Sequence, residues 1–329
     1  MPHAPDTLTL VADIGGTNTR VALAQGRKVL TETVRRYANS ENAGLASVLR
    51  RYLTEMDGVD PAAACVAVAG PVKDGRGTLT NLDWSIDGAA LTEATGAEVT
   101  AILNDLQAQG HALGHIDPAN TRVVIPSPAA PQGAARLVVN VGTGFNIAQV
   151  FDLGGQRLVP AAEAGHVTLP VRDETDLRMA RFVGAHHGFA SVEEVLSGRG
   201  IVQVHDWLGH EEGDLNPATS ADIMGAIAQG GDSRAVRAGR IFVRVLGAVS
   251  GDLVLTTLPF GGVWLVGGLA RAFAPHLDRF GFIEAFRDKG RFSGFMGQFG
   301  VGVVEDDNAA LTGCASHLAA LLEGGAGRT

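Results

Sequence analysis

With 329 residues, 46% of them hydrophobic and 19% charged, the chain has a globular composition and room for two domains, which excludes a disordered polypeptide. A formal net charge of -9 makes it a poor general partner for nucleic acid or an anionic membrane. Small anionic ligands stay open, because backbone N–H groups and helix N-termini bind phosphate whatever the net charge.

The two cysteines, Cys65 and Cys314, form neither a zinc spacing nor a disulfide framework, which fits a reducing compartment. The N-terminal MPHAPDT has no basic or apolar region of the kind a signal peptide needs, so none is expected. The most apolar long stretch, Ile241 to Leu258, carries Arg244 and Asp252 and reads as a buried helix, not a membrane span.

In chain order, Leu8 to Ile14 is an apolar run, followed by the turn Gly15-Gly16-Thr17-Asn18 and a second run, Arg20 to Ala24. This is a strand–turn–strand signal. Ala43 to Glu55 places Leu45, Val48, Leu49 and Leu53 on one helical face. Ala64 to Ala69 predicts a short buried strand ending at Gly70-Pro71, Leu91 to Thr95 a helix, and Glu98 to Leu103 a strand that delivers Asn104-Asp105 at its end. His115 to Ala134, rich in proline and alanine, reads as a boundary or surface connection. Beyond it the first device returns: Arg136 to Val141 as a strand, Gly142-Thr143-Gly144 as a turn, and Asn146 to Phe151 as a second strand.

The alternation argues for an α/β fold, and the repeated device for two similar halves and not a solenoid. After Val171 the pattern turns helical. Ser191-x-x-Glu194 fits a capping box and predicts a helix starting at Ser191 and ending within Leu196 to Gly200. Val263 to Val266 predicts a strand leading into Gly267-Gly268 and a helix, and Ala309 to Leu322 predicts the last helix.

Four groups of residues carry possible chemistry. In Asp13-Ile14-Gly15-Gly16-Thr17-Asn18 the glycines admit an anion to backbone N–H groups, Thr17 offers a hydroxyl, and Asp13 offers a carboxylate where a metal–phosphate would sit. An ordinary hairpin turn accounts for the same residues. A second glycine–threonine turn, Gly142-Thr143-Gly144, raises the possibility of two turns gripping one polyphosphate. Neither matches a common nucleotide motif: the chain has no G-x-x-x-x-G-K-[ST], and Ile147 stands where a dinucleotide fingerprint needs glycine or alanine.

Asn104-Asp105, at a strand end, supplies a base able to accept a hydroxyl proton, or simply a helix cap. Glu163-Ala164-Gly165-His166, with Glu193 further on, offers carboxylates and an imidazole to vicinal hydroxyls; Glu194 reads as the capping-box partner only. Asn81-Leu82-Asp83-Trp84-Ser85 sets polar groups beside an aromatic ring, which suits a sugar face or a core tryptophan near a turn.

Taken together and in this order, these segments resemble the bacterial glucokinase family, within the hexokinase–actin–Hsp70 ATPase superfamily, over nearly the whole chain. The resemblance implies a two-domain, actin-like ATPase (ribonuclease H-like) α/β fold with an interdomain cleft. Residues 1–113 plus 306–329 would form the smaller domain and 114–305 the larger. It also implies ATP-dependent phosphorylation of glucose to glucose 6-phosphate.

By family, Asp105 is the base, and Asn81, Asn104, Glu163, His166 and Glu193 are the other sugar contacts. Asp13, Gly15, Gly16, Thr17 and Asn18 form the first phosphate loop, Gly142, Thr143 and Gly144 the second, and Gly267-Gly268 the adenosine side. Magnesium would arrive with ATP, near Asp13, held mostly by phosphate and water. A cytoplasmic homodimer with no nucleic-acid or membrane partner is the family expectation.

Two departures stand out. Ala164 occupies a position where glycine is expected, and Phe145-Asn146 follows the second phosphate loop where small aliphatic and glycine residues are usual. The cysteine-rich zinc motif of ROK sugar kinases is missing, and no helix-turn-helix extension precedes the first strand, so the non-ROK branch is expected and a ROK-like repressor is not. The readings that compete are a kinase for mannose, fructose or glucosamine, a non-catalytic sugar sensor, and a sugar-independent ATPase module.

Overall fold

The computed structural model describes residues 7–79, 82–230 and 233–325. The chain forms two compact units: Met1–Pro118, Gly154–Ala161 and Asp306–Thr329 make the first, Ala119–Leu153 and Ala162–Glu305 the second.

The first unit opens with β1 (Leu8–Ile14), β2 (Asn18–Gln25), β3 (Lys28–Val29) and β4 (Arg35–Ala38), followed by α1 (Leu45–Glu55) and β5 (Ala63–Val68). A small three-stranded sheet, β6 (Val72–Lys73), β7 (Arg76–Thr78) and β8 (Ser85–Asp87), precedes α2 (Gly88–Thr95), β9 (Val99–Asn104) and α3 (Asp105–Ala112). The main sheet runs β3-β2-β1-β5-β9, with β4 also on β2. β1 pairs antiparallel with β2 and parallel with β5, which is parallel to β9.

All six side chains of β5 are buried, as a parallel strand covered on both faces requires. Leu10, Ala12 and Ile14 pack with Val48, Leu49, Tyr52 and Leu91 of α1 and α2. Val11 and Cys65 face the other way, onto Leu311, Cys314 and Leu318.

In the second unit, β10 (Thr121–Ile125), β11 (Arg136–Val141) and β12 (Phe145–Leu153) come first. β13 (Gln156–Leu158) returns to the first unit. Then follow α4 (Glu174–Gly184), α5 (Gly198–Glu212), α6 (Ser220–Gln229), α7 (Arg234–Thr257), β14 (Val263–Val266), α8 (Gly268–Phe273), α9 (Phe282–Arg287) and β15 (Val301–Val304). α10 (Ala309–Gly325) belongs to the first unit and supplies the leucines that cover its sheet.

β11 pairs antiparallel with β12 and parallel with β14, and β14 is parallel to β15. That is the β2-β1-β5-β9 plan again, so the repeated strand–turn–strand signal marks a repeated topology. Ile241 to Leu258 falls almost wholly within α7, and among the described residues no helix is long and apolar enough to cross a membrane.

Two sequence expectations need correction. The connection predicted over His115 to Ala134 contains β10, which pairs antiparallel with β15. Its β-branched run, Val123-Val124-Ile125, is short and set among Pro118, Pro126, Pro128 and Pro131, and that turn-like composition outweighed it. No α-helix starts at Ser191. Val192–Glu194 is a single 3₁₀ turn without a side-chain cap, and the helix begins seven residues after Ser191, at Gly198. Ser197 is its N-cap, accepting from the Gly200 N–H at 2.9 Å. The carboxylate of Glu194 is instead buried against Arg199 at 3.1 Å and Gln203 at 2.7 Å.

Candidate active site

On the first unit, the turn Gly15–Thr17 joins β1 to β2, and Gly16 and Thr17 are exposed at its tip. Gly15 N–H donates to the Asn18 carbonyl at 3.0 Å, closing the turn. Its shape is fixed from outside by Asn39, which is buried. The Asn39 Nδ2 donates to the Gly15 carbonyl at 2.8 Å, its Oδ1 accepts from the Thr19 hydroxyl at 2.8 Å, and its backbone N–H donates to the Thr17 carbonyl at 2.9 Å. One side chain thus ties down both ends of the loop and leaves its tip open.

Asp13 stands at the end of β1, level with Ala67 of β5, which is level with Leu103 of β9; Asp105 follows two residues on. The two carboxylates therefore leave the same carboxyl-terminal edge of the parallel sheet, where ligands gather in such folds. Burial raises the Asp13 carboxyl above its usual range, and Arg20, 3.9 Å away, opposes that. Burial, then the like charge of Asp13, pushes Asp105 up to about 6.

Asp105 is the first residue of α3, half-buried, with Oδ1 accepting from the Leu106 N–H at 2.9 Å. Asn104 is the N-cap of the same helix. Its Oδ1 accepts from Leu106 N–H at 3.0 Å and its Nδ2 donates to the Gly70 carbonyl at 2.9 Å. Gln107 completes the capping box at 3.0 Å and donates to the Val159 carbonyl at 2.9 Å. Both ends of the Asn104 amide are engaged in holding this corner, so its visible work is to set the direction in which Asp105 leaves the sheet.

On the second unit, Gly142–Gly144 joins β11 to β12, with Gly142 N–H donating to Gly144 at 3.0 Å and Gly198 N–H to Gly142 at 2.9 Å. Phe145 N–H donates to Glu193 Oε2 at 2.9 Å, and Arg199 lies 3.5 Å from the other oxygen. A Cβ on Gly144 would sit 2.6 Å from Glu193 Oε2, so glycine is needed for the carboxylate to lie against the loop. Gly267 has φ +101, and a Cβ there would sit 2.5 Å from the Val141 carbonyl. The Gly267-Gly268 turn is therefore packed directly onto the strand end that feeds the second loop. Gly268, by contrast, faces no atom within 4 Å of a would-be Cβ.

Glu163 and His166 sit on a 3₁₀ turn, Ala164–His166, with side chains 77% and 69% exposed and 3.9 Å apart. They belong to the same unit as Glu193 and the second glycine turn. Asn81 lies outside the described residues. Trp84 is half-buried and packs against the first unit's core.

A family model described as Glucokinase matches residues 10–321. The chain belongs to the glucokinase family. A curated glucokinase of Caulobacter vibrioides (strain NA1000 / CB15N) is 33% identical over 320 residues, covering 94% of this chain and 95% of the relative. The crystal structure of a glucokinase from an Antarctic psychrotroph superposes with a TM-score of 0.83 at 29% identity, covering 94% of this chain and 98% of the other. A glucokinase of Balamuthia mandrillaris, solved with glucose, has a TM-score of 0.78 at 20% identity and covers 96% and 94% of the two chains, which supports the shared fold.

Within the glucokinase family assignment, the two-domain actin-like α/β fold expected from the resemblance is the fold observed. The first unit assembles Asp13, the first glycine loop and Asp105 along one sheet edge; the second assembles Gly142–Gly144, Gly267-Gly268, Glu163, His166 and Glu193. Asn39 and Gln107 escaped the sequence reading; nothing in the neighbourhood of Asn39 distinguishes it from an ordinary polar residue. The capping-box spacing Asn104-x-x-Gln107 was the one signal that could have found Gln107.

Proposed function

We propose that this glucokinase-family chain transfers the γ-phosphoryl group of ATP to the 6-hydroxyl of glucose, with Asp105 accepting the hydroxyl proton. The observation that carries this reading is the Asp105 carboxyl: it is half-buried on a sheet edge, is aimed by a capping box, and is pushed up to about 6. A base poised just below neutral pH is ionised at work yet basic enough to take a proton as the bond to phosphorus forms. In phosphoryl transfer such a group chiefly orients the nucleophile, because the transition state is loose.

Glu163, His166 and Glu193 accept and donate hydrogen bonds to the sugar hydroxyls, with Asn81 and Asn104 as further contacts. Gly15–Asn18 and Gly142–Gly144 present backbone N–H groups to the phosphates, and Gly267-Gly268 lies on the adenosine side. Magnesium suits this oxygen-rich edge. The Asp13 carboxylate is a hard oxygen donor beside the first loop, and Asp13 and Asp105 repel one another in a way a cation relieves. Among the described residues no cluster of three or more His, Cys, Asp or Glu side chains would hold a metal alone, so phosphate and water oxygens complete its shell. Bound there, magnesium would neutralise phosphate charge. The family resemblance supports a cytoplasmic homodimer, and the net charge of -9 supports the absence of a nucleic-acid partner.

The test is a coupled assay with ATP and magnesium against glucose, mannose, fructose and glucosamine. Glucose is expected to give the highest kcat/KM, with little ATP turnover when sugar is omitted. A higher kcat/KM for another hexose would reassign the substrate, and the Asn146 and Ala164 departures beside Glu163 make that the serious competitor. Glucose binding without turnover would make the chain a sensor, and sugar-independent hydrolysis an ATPase.

A further inference from the structure

Asn146 and Ala164, the positions that the resemblance marks as unusual, meet in space. Asn146 Oδ1 accepts the Ala164 N–H at 2.9 Å and the Ile147 N–H at 2.8 Å. Its Nδ2 donates to the Ala162 carbonyl at 2.6 Å and stands 3.4 Å from Glu163 Oε2. The Ala164 methyl packs against the second unit's core, where glycine would have no side chain to anchor. The residue before Asn146, Phe145, has its side chain buried in that core. Its carbonyl lies so near Gly165 that a Cβ there would approach to 2.1 Å. The start of β12 therefore grips the Glu163–His166 turn at residues 162, 164 and 165.

We propose that Asn146, with Ala164, is a positioning and specificity-determining residue that pre-sets the Glu163–His166 turn for the sugar. The proposal rests on the reading of Glu163 and His166 as sugar contacts. Their side chains are 77% and 69% exposed, so almost nothing but the turn's backbone fixes where they point. A carboxylate on a loose turn must be ordered when the ligand arrives, and that entropy is subtracted from affinity. With an amide clamping both sides of residue 163, most of the ordering is completed before the sugar binds. The same rigidity penalises any hexose whose hydroxyls need Glu163 elsewhere, so the clamp sharpens the ranking among sugars as well as tightening glucose.

The variants are Asn146→Ala, which removes the clamp, and Asn146→Asp. The aspartate keeps an acceptor for Ala164 N–H but puts an anionic oxygen where Nδ2 faces the Ala162 carbonyl and Glu163. Hydrogen exchange of the ligand-free protein reads the clamp directly: in Asn146→Ala, amides of residues 163–166 exchange faster while the rest of the second unit is unchanged. Steady-state kinetics read its purpose. KM for glucose rises about three- to tenfold in Asn146→Ala, the worth of one or two neutral hydrogen bonds. It rises further in Asn146→Asp, where like charge pushes Glu163 aside. KM for ATP stays within about twofold, and the glucose preference over mannose and glucosamine narrows.

Unchanged exchange at residues 163–166 overturns the clamp. Faster exchange with an unchanged glucose KM and sugar ranking, or with glucose and ATP KM rising together, overturns its role in sugar selection. If the wild-type chain phosphorylates no hexose, the functional reading and the sugar-selection role fall together. The exchange measurement still decides whether the clamp exists.

Discussion

Replacing Asp105 by asparagine should destroy activity and stabilise the protein at the same time. In the folded chain the Asp105 carboxyl is raised from 3.8 to about 6, first by burial and then by the Asp13 charge. The sign follows from when each state loses its proton. The unfolded chain ionises as pH passes about 4 and the folded one only near 6, so wild-type stability declines across that window and stays lower above it. At full strength the difference is worth about 3 kcal/mol, and about 2 kcal/mol once water at the half-buried carboxyl screens it.

Asparagine keeps an oxygen for the Leu106 N–H and never ionises, so Asp105→Asn escapes this penalty. Its melting temperature should match wild type near pH 4 and exceed it by several degrees above pH 6. Activity should fall by roughly 10²–10⁴-fold, the usual toll of losing a positioned base. Wild-type kcat/KM should itself decline on the acid side with a midpoint near 6, and Asp13→Asn should move the Asp105 ionisation downward by removing the like charge. The measurements are a coupled kinase assay and thermal melts from pH 4 to 8. Activity within tenfold of wild type would remove Asp105 from the reaction. A variant that melts below wild type at pH 7.5 would show that the carboxylate is not held against its ionised form.

Four further substitutions probe the glycine turns and the asparagine that holds the first of them. Gly144→Ala drives a methyl to 2.6 Å from Glu193 Oε2, so the carboxylate must leave the Phe145 N–H, and kcat/KM should drop by at least about tenfold, as overpacking penalties imply; near-normal kinetics would show that Glu193 need not lie there. Gly267→Ala combines φ +101 with a 2.5 Å approach to the Val141 carbonyl and should destabilise by roughly 2 kcal/mol or more, whereas Gly268→Ala meets no atom and should leave the melting temperature unchanged while raising KM for ATP. Equal melting temperatures for the pair, or an unaffected ATP KM in Gly268→Ala, would contradict that division. Asn39→Ala removes two hydrogen bonds from the first glycine loop and should raise KM for ATP several-fold with glucose KM little changed; a selective rise in glucose KM would refute its assignment to the phosphate side.

Much of the fold could be read from the sequence because its sheets are covered on both faces. Strands such as Leu8–Ile14, Arg136–Val141 and Val263–Val266 are apolar runs bounded by glycine, and they form where that pattern puts them. Where turn-forming residues crowd a short run the pattern fails. β10 escaped because Val123-Val124-Ile125 is set among prolines, and the false helix at Ser191 arose because a capping-box spacing is only a local permission. Tertiary packing used Glu194 as a buried partner for Arg199 and Gln203 instead, and Ser197 took over the capping.

What stayed hidden in the site has a common chemistry. Most legible residues either carry charge, such as Asp105, or lack a side chain, such as Gly142; Asn104 was legible as a neighbour of Asp105, but not the hydrogen bonds by which it aims it. Those that aim them are neutral amides, and each asparagine among them uses at least one end of its amide on a structural partner distant in sequence. Asn39 reaches Gly15 across 24 positions, Asn104 reaches Gly70 across 34, and Asn146 reaches Ala164 across 18. An amide suits this work because it donates and accepts at once without adding charge beside phosphate or carboxylate. A carboxylate in the same place would repel the groups being positioned, and a hydroxyl could not span two backbone strands. The asparagines also separate by unit: the first two hold the first glycine loop and Asp105, the third the Glu163–His166 turn. Loss of Asn39 should therefore register in ATP affinity, loss of Asn104 in turnover together with sugar affinity, and loss of Asn146 in sugar affinity and ranking with turnover little changed. If all three alanine variants instead change the same kinetic constants alike, the amides would be supporting general stability, and the separation of roles would be wrong.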